Sequence, residues 1–322
     1  MNLEFPKEKR NLIHIYLESM ENSYYSKDEG GYLAESLMPD LAELTHEGVS
    51  FSDTTNFGGP QQVPGTEHSV AAMVAMGAGS PMLSAGHRNG QRLSYPDFAT
   101  TGDLLAKAGY QNVFMLGSDG NWGGLADYYR RHGNFEIYDL QTAYDTGFVE
   151  DGYKVRWGLE DEKLYEAAKL KLSKLAAGKQ PFYFILENAD THFPDGYYSP
   201  KHTNPPYTVP YSNAIYYSQQ DTVALVRWIQ AQPWAKNTTI VLTGDHQSME
   251  RNYFENWDPN YNRTVVNVFL NPVQGNKIDA KLTQNRIYAP YDFFPTILAA
   301  IGVKIDGERL GMGTNLFPIK KR

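Results

Sequence analysis

Four polar segments follow apolar runs that have the composition of buried β-strands, and these segments carry the side chains best suited to chemistry. Glu18 follows the first such run, and later runs are followed by Ser118-Asp119, by Asp190-Thr191-His192 and by Asp245-His246. Ligands of open parallel sheets bind outside the carboxyl ends of the strands, so these segments mark a candidate site. A lone acid such as Glu18 is equally explained as a cap of the next helix. Asp245-His246 is more specific, because a carboxylate oxygen and an imidazole at a chain reversal can both face one metal ion.

A further candidate is the hydroxyl of Thr66, which lies between a Pro64-Gly65 turn and an Ala/Met-rich run typical of a helix. We place Thr66 at or next to the helix N-cap, where a hydroxyl has an ordinary structural role. A hydroxyl there also lies among free N–H groups at the positive end of the helix dipole, which favours a bound phosphate. A nearby divalent cation would activate the hydroxyl as a nucleophile.

In combination and in this order, these segments resemble the alkaline phosphatase/sulfatase superfamily, and within it the phosphoglycerol transferases. That branch comprises lipoteichoic acid synthases, enzymes that decorate periplasmic glucans, and enzymes that add glycerol phosphate to streptococcal cell-wall polysaccharides. The resemblance spans about residues 11–250. It is carried by Tyr16-Leu17-Glu18-Ser19-Met20-Glu21, Pro64-Gly65-Thr66, Asp190-Thr191-His192-Phe193-Pro194-Asp195-Gly196 and Gly244-Asp245-His246.

The resemblance implies one Mn²⁺ ion, with Mg²⁺ and Zn²⁺ as alternatives, bound by Glu18, Thr66, Asp245 and His246. It also implies a two-step transfer, in which Thr66 attacks a phosphatidylglycerol-like anionic phospholipid, releases diacylglycerol and leaves a glycerophospho-threonine. A hydroxyl of a cell-wall polysaccharide or a teichoic-acid-type acceptor then resolves this intermediate. His192 would contact a non-bridging phosphate oxygen or shuttle a proton.

The substrate half of the site departs from the family pattern. Family members carry a basic residue eight positions before the Gly of a segment resembling Tyr128-Tyr129-Arg130-Arg131-His132-Gly133, and this residue grips the substrate. The present sequence has Leu125 at that position. The candidate substrate-binding residues are therefore Asn89, Asp119, Asn121 and Trp122, with a role as plain surface-loop residues as the alternative.

The elements that must position these residues alternate between strand and helix patterns. Short Val/Ile/Leu/Phe runs separated by helices are typical of a mainly parallel sheet covered on both faces. We predict an α/β fold, a three-layer α/β/α sandwich with a small C-terminal α+β subdomain. The catalytic core is placed at residues 1–250 and an extension packed on it at 251–322. The predicted strands are 11–17, 49–55, 112–116, 182–187, 238–243 and 264–271, and the predicted helices are 39–46, 66–76, 101–108, 160–177, 212–231 and 292–300.

Composition excludes several classes of protein. The 322 residues are 41% hydrophobic and only 20% charged, so the chain can bury a sizeable core and is not disordered. It has no cysteine, which excludes disulfide scaffolds, thiolate nucleophiles, zinc-thiolate sites and those sulfatases that start from a cysteine. The net charge of −8, without a dense basic block before Lys320-Lys321-Arg322, argues against a nucleic-acid partner.

Location and reaction are left with alternatives. The sequence has no apolar run near the roughly 20 residues that span a bilayer and no signal-peptide pattern at its start, so it is either cytoplasmic or an ectodomain. The resemblance favours the extracellular face of a bacterial cell membrane, with a membrane anchor outside this sequence. Leu125 keeps open a related phosphodiesterase or phosphoethanolamine transferase. The 23 tyrosines keep open a non-catalytic surface glycan-binding module.

Overall fold

A six-stranded sheet forms the centre of the computed structural model, which describes residues 2–82 and 98–317. The strand order is β4-β3-β5-β2-β6-β7, and all neighbours are parallel except the antiparallel pair of β6 and β7. Two small antiparallel pairs, β1 with β8 and β9 with β10, lie outside this sheet. The strands are β1 (Leu3–Glu4), β2 (Asn11–Leu17), β3 (Gln111–Leu116), β4 (Glu136–Tyr138), β5 (Phe182–Glu187), β6 (Thr238–Gly244), β7 (Asn267–Leu270), β8 (Lys304–Ile305), β9 (Arg309–Leu310) and β10 (Gly313–Thr314).

Helices cover both faces of the sheet. One apolar cluster joins one sheet face to helices α1, α6 and α7, and a second joins the other face to α2, α3, α4 and α10. The helices are α1 (Pro39–Glu47), α2 (Ser69–Ala78), α3 (Thr101–Lys107), α4 (Leu125–Arg131), α5 (Leu140–Asp145), α6 (Asp161–Ala176), α7 (Pro210–Gln230), α8 (Arg251–Phe254), α9 (Ala280–Thr283) and α10 (Phe293–Ala300). No helix within the described ranges is both long and apolar enough to cross a membrane.

Strand β2 shows why the sequence gives a sheet with two buried faces. Its side chains alternate, so that Ile13, Ile15 and Leu17 enter the first cluster while Leu12 and Tyr16 enter the second. All seven residues of the strand are buried. A strand that is apolar on both faces is stable only between two helical layers, which is the arrangement observed.

The α/β class and the mainly parallel sheet are confirmed, but three predicted elements differ in the part of the chain that the structure describes: one strand is absent, one is shorter, and one helix begins later. Residues 49–55 form no strand: Val49 makes a single bridge to Phe269, and the N–H of Phe51 donates to the side chain of Asn267 instead of to a neighbouring strand. The predicted strand 264–271 is limited to β7. The predicted helix at Thr66 begins only at Ser69, because the side chain of His68 caps it by accepting from the N–H of Ala71.

The C-terminal part contributes to the central sheet. Strand β7 lies in the predicted extension, yet it pairs with β6 along Ile240–Thr243. Helix α10 also packs on the face of the sheet that α2 covers. The division at residue 250 stays a prediction, and strands from both sides of it belong to the same sheet.

Candidate active site

The register of three central strands brings the predicted metal ligands to one edge of the sheet. Within the parallel sheet, Tyr16 of β2 lies beside Glu187 of β5, and Leu17 lies beside Gly244 of β6. The chain turns sharply after β2, where Ser19 has a φ of 54°. Glu18 and Asp245 therefore leave neighbouring strands at the same level.

Glu18, Asp245 and His246 form a compact buried cluster. One ligand atom from each of the three lies within 4.8 Å of the others. His246 Nε2 is 3.3 Å from Asp245 Oδ2 and 3.6 Å from Glu18 Oε1. Because His246 Nδ1 lies 2.7 Å from the carbonyl oxygen of Gln247, it must carry the proton, and the lone pair of Nε2 faces the carboxylates.

The carboxylate of Asp245 is held so that one oxygen is reserved for a further partner. Oδ1 accepts from the N–H groups of Ser19 at 2.8 Å and His246 at 2.7 Å. Oδ2 is buried and accepts no hydrogen bond from any described residue. A buried, unpartnered carboxylate oxygen beside an imidazole lone pair fits a divalent cation, and this donor set suits Mn²⁺ and Zn²⁺ as well as Mg²⁺.

Ser69 is a site residue that sequence reasoning missed. As the first residue of α2, it places its hydroxyl 3.2 Å from Glu18 Oε2 and 3.5 Å from His246 Nε2. The other carboxylate oxygen of Glu18 accepts from the hydroxyl of Ser19 at 2.6 Å. No motif marks Ser69, since its position depends on the helix starting three residues later than the Pro-Gly turn suggests.

Glu187 is the second missed residue, and it adds a third carboxylate. Burial raises its pKa well above the usual value, and the charges of Asp245 and Glu18 raise it further, while the hydroxyl of Ser69 opposes the shift. The pKa of Asp245 is raised to about 7 by burial and by Glu18. The negative charges of Glu18 and Asp245 disfavour ionisation of Glu187 and of each other, so a cation bound at the cluster would relieve the repulsion. The sequence signal was available, because Glu187 is the only charged residue of the run FYFILE.

Thr66 lies three residues before the first residue of α2, but its hydroxyl is turned into its own loop. It donates to the carbonyl oxygen of Val63 at 2.7 Å and accepts from the N–H of Val63 at 3.1 Å. The residue is buried and lies two positions before the N-cap, His68, instead of at it. The role of Thr66 as nucleophile and ligand therefore stays a prediction, and it requires rotation of this side chain.

His192 lies on a loop that is tied to the cluster. The hydroxyl of the neighbouring Thr191 donates to the carbonyl oxygen of Glu18. His192 Nδ1 faces the carbonyl oxygen of Phe193 at 2.6 Å, which leaves Nε2 unprotonated in the neutral ring. Burial lowers the pKa of His192, although the nearby Asp245 opposes the shift. A neutral imidazole of this kind can accept a proton.

The candidate substrate-binding residues have different outcomes. Asp119 and Asn121 form an exposed turn, in which Asp119 Oδ1 accepts from the backbone N–H of Asn121 at 2.9 Å. The side chain of Trp122 is 57% exposed, and the adjacent Gly123 lies against Val70 at the start of α2. Asn89 lies outside the described residues. The substrate-binding role of all four stays a prediction.

A sulfatase family profile matches residues 10–303 of this chain. The chain belongs to the sulfatase family. This finding confirms the resemblance seen in the sequence. The match covers the strands and loops that supply Glu18, Asp245 and His246, so the cluster lies within the family's own domain.

Relatives of this sulfatase-family chain include enzymes named phosphoglycerol transferase I. Those of Salmonella arizonae and Escherichia coli are each 31% identical over 252 residues, which is 76% of this chain and 32% of theirs. The chain therefore spans about a third of the length of these relatives.

Solved structures share the fold at lower identity. The lipoteichoic acid synthase LtaP of Listeria monocytogenes is 17% identical with a TM-score of 0.70, over 95% of this chain and 75% of that one. The C-terminal periplasmic domain of EcEptC from Escherichia coli, in complex with Zn, is 14% identical with a TM-score of 0.67, over 99% and 90%. These similarities show the fold.

Proposed function

We propose that this chain is the catalytic part of a phosphoglycerol transferase that moves glycerol phosphate from a phosphatidylglycerol-like lipid to a glycan or teichoic-acid-type polymer of the bacterial cell envelope. The observation that carries the proposal is the cluster of Glu18, Asp245 and His246 beside the hydroxyl of Ser69 at the start of α2. Enzymes named phosphoglycerol transferase I, at 31% identity, support the choice of transferred group. We propose that the enzyme acts at the extracellular face of the membrane, the location that the family resemblance implies.

Glu18, Asp245 and His246 would hold a divalent ion, which we propose to be Mn²⁺. When bound, the ion would polarise the phosphoryl oxygens and favour ionisation of a hydroxyl nucleophile. The chain's own groups prepare this site, since Ser19 and Ser69 orient the carboxylate of Glu18 and the carbonyl oxygen of Gln247 fixes the tautomer of His246.

The transfer then takes place in two steps. The nucleophilic oxygen forms a bond to phosphorus, and the bond between phosphorus and the diacylglycerol oxygen breaks. The hydroxyl proton passes to His192 and from there to the departing diacylglycerol oxygen. In the second step, His192 removes the proton of the acceptor hydroxyl, and the acceptor oxygen forms a bond to phosphorus. The bond between phosphorus and the enzyme oxygen breaks, and His192 returns the proton to that oxygen. We propose Thr66 as the nucleophile after rotation away from Val63, because the family pattern places the nucleophile there.

The acceptor and the rest of the lipid need space next to the cluster. A cavity of about 600 Å³ is lined by the residues that directly follow His192 and His246 in the chain, Phe193 and Gln247, together with Gln62, Glu67 and Met249. Its mixture of apolar and polar side chains suits a group with both characters. We propose that this cavity takes the part of the substrate that is not transferred.

Trapping of the covalent intermediate tests the proposal. The protein is incubated with phosphatidylglycerol and Mn²⁺, quenched in acid and digested, and the modified residue is located by tandem mass spectrometry. We expect a glycerophosphoryl group on Thr66, lost in Thr66→Ala and retained in Ser69→Ala. The same group found on Ser69 would support the two-step transfer but show that Ser69, and not Thr66, is the nucleophile. The absence of any adduct, together with full turnover in both variants, would refute the covalent mechanism.

A phosphoethanolamine transferase is the second candidate. It is favoured by the fold shared with the lipooligosaccharide phosphoethanolamine transferase A of Neisseria meningitidis and by Leu125, which is only 1% exposed and cannot act as a substrate-facing group. Parallel reactions with phosphatidylethanolamine and phosphatidylglycerol distinguish the candidates. Consumption of the amine lipid alone would favour this alternative, and release of free glycerol phosphate without acceptor would indicate a phosphodiesterase.

A further inference from the structure

Arg156 and Trp157 are the two central residues of a tight turn that the sequence motifs do not include. The N–H of Val155 donates to the carbonyl oxygen of Gly158 at 2.7 Å, and the N–H of Gly158 donates back to that of Val155 at 2.9 Å. This reciprocal pair closes the turn. The two side chains are therefore presented from a defined backbone and not from an extended loop.

The turn is fastened to the edge of the sheet where the active site lies. The N–H of Leu159 donates to the carbonyl oxygen of Gly117 at 2.8 Å, directly after β3. A Cβ atom added to Gly158 would lie 1.9 Å from the same oxygen, so only glycine permits this approach. The segment thus packs backbone to backbone against the carboxyl end of a central strand.

The side chains at the tip of this turn meet the loop that carries His192. The Trp157 ring lies edge-on to the imidazole of His192, with 4.7 Å between ring centroids. The guanidinium of Arg156 donates through Nη2 to the carbonyl oxygen of Pro194. Both side chains remain open to solvent, and Trp157 is 45% exposed.

Arg156 adopts a backbone conformation that arginine rarely takes. Its φ is 53°, in the left-handed region where a Cβ atom is disfavoured and where glycine would be accommodated without cost. Strained residues of this kind cluster at ligand-binding sites, where the side chain is needed in spite of the strain. The guanidinium and indole next to His192 are such side chains.

Electrostatics points to the class of ligand. The site contains the carboxyl groups of Glu18, Glu187 and Asp245, and the proposed substrate is a phosphate ester that is also an anion. A positively charged side chain is therefore needed to bind it. Leu125 is buried and offers no charge. Another nearby cation, Arg263, is already engaged by Glu21 and by the carbonyl oxygen of Ser248. Arg156 lies beside His192 with its guanidinium largely in solvent, and a guanidinium binds phosphate oxygens in a bidentate manner.

We propose that Arg156 and Trp157 form the anion-binding wall of the active site, with Arg156 binding the non-bridging oxygens of a glycerol phosphate group and Trp157 covering its glycerol moiety. This inference rests on the proposed function for the identity of the ester, and on the turn geometry for the residues. Arg156 exchanges its contact with Pro194 for the phosphate when substrate enters.

Binding of sn-glycerol 1-phosphate, measured by calorimetry and by tryptophan fluorescence in the presence of Mn²⁺, tests the proposal without turnover. Arg156→Gln should weaken binding by about 10- to 100-fold, the loss typical of a charge-assisted contact. Trp157→Phe should remove most of the fluorescence change. Lys154→Gln, which removes the same charge from an exposed position of the same loop, should bind like the parent.

Arg156→Gly separates binding from folding. Since glycine tolerates the observed φ, this variant should unfold at the parent's temperature or above it while binding as weakly as Arg156→Gln. Equal affinity of the parent and Arg156→Gln, or no binding of any phosphate ester by the parent, would overturn the inference. Arg156-dependent binding of phosphoethanolamine in place of glycerol phosphate would instead keep the anion wall and refute the proposed donor.

Discussion

Metal binding at Glu18, Asp245 and His246 should weaken steeply as the pH falls below about 7. A metal ligand must be deprotonated, so binding displaces any proton that the free site holds. The pKa of Asp245 is raised to about 7 by burial and by the charge of Glu18. Burial lowers the pKa of His246, but Asp245 and Glu18 raise it by more, so the net shift is upward. Both groups therefore hold protons in mildly acidic solution.

The size of the effect follows from these protonation states. A group with a pKa of about 7 is mostly ionised at pH 7.5 and almost fully protonated at pH 5.5, which lowers the affinity roughly 25-fold across that interval. The pKa of His246 is also raised, so its protonation adds a further loss of affinity in the same direction. The part of the pH dependence that comes from Asp245 should level off above about pH 8, where this carboxyl is deprotonated in the absence of metal.

Isothermal titration calorimetry with Mn²⁺ measures this directly. Titrations at several pH values give the affinity, and repetition in buffers of different ionisation enthalpy gives the number of protons released. At pH 7 we expect between about 0.5 and 1.5 protons per ion. Asp245→Asn should bind at least 100-fold more weakly at pH 7.5 and should show a shallower pH dependence, because one titrating ligand is gone and His246 loses its nearest negative charge.

Asp151→Asn is the matched control, since Asp151 is an exposed turn residue that is not part of the cluster. It should bind Mn²⁺ like the parent at every pH. An affinity that changes less than about twofold between pH 5.5 and 8, or an Asp245→Asn variant that binds like the parent, would refute the assignment of this cluster as the metal site.

Three further substitutions probe the site and its supports. Ser69→Ala removes a hydrogen bond to the carboxylate of Glu18 and should weaken Mn²⁺ binding about 10-fold without lowering the unfolding temperature. The pKa of Asp221 is raised to about 7, chiefly by burial. Between about pH 4 and 7 this carboxyl therefore keeps its proton in the folded protein but loses it in the unfolded chain, and the free energy of unfolding falls as the pH rises through this range. Asp221→Asn should therefore stabilise the protein by about 1–2 kcal/mol at pH 8 and leave it unchanged at pH 4, as measured by urea unfolding. Glu21→Gln should lower the free energy of unfolding, measured in urea, by about 3 kcal/mol, because it breaks the pair between the fully buried Glu21 and Arg263. Adding Arg263→Met to this variant should recover part of the lost free energy.

Different results would contradict each of these expectations. Unchanged Mn²⁺ affinity in Ser69→Ala would remove Ser69 from the support of the metal site. Equal stabilisation of Asp221→Asn at pH 4 and pH 8 would show that the raised pKa is not the cause. A further loss of stability on adding Arg263→Met to Glu21→Gln would show that the unpaired arginine is not what destabilises the single variant.

The convergence of the proposed ligands could be predicted because a parallel sheet follows a simple rule. Once β2 and β6 are recognised as buried strands, Glu18 and Asp245 must leave the same sheet edge, and their types suggest a metal. The same reasoning could have included Glu187, the charged end of an apolar strand. Sequence reasoning failed where position depends on local backbone detail, as for Ser69, which reaches the site because His68 delays the start of α2.

Two other features could not be predicted for physical reasons. The run at residues 49–55 has the alternating composition of a strand, yet only Val49 pairs with β7. The N–H of Phe51 donates to the side chain of Asn267 and that of Ser52 to the carbonyl oxygen of Thr283 in α9, a choice that only tertiary packing decides. Arg156 and Trp157 lie in a turn without hydrophobic periodicity. Their relation to His192 depends on the contact of Gly158 with Gly117, about 40 residues away in sequence and invisible to any local pattern.

A crystal structure of the protein with Mn²⁺ and glycerol 1-phosphate, with anomalous diffraction to locate the ion, tests the central claim most directly. We predict one strong anomalous peak about 2.0–2.3 Å from an oxygen of Glu18, from Asp245 Oδ2 and from His246 Nε2, with the phosphate next to it. A peak at another place, or an ion that leaves Asp245 Oδ2 without a partner, would contradict the account.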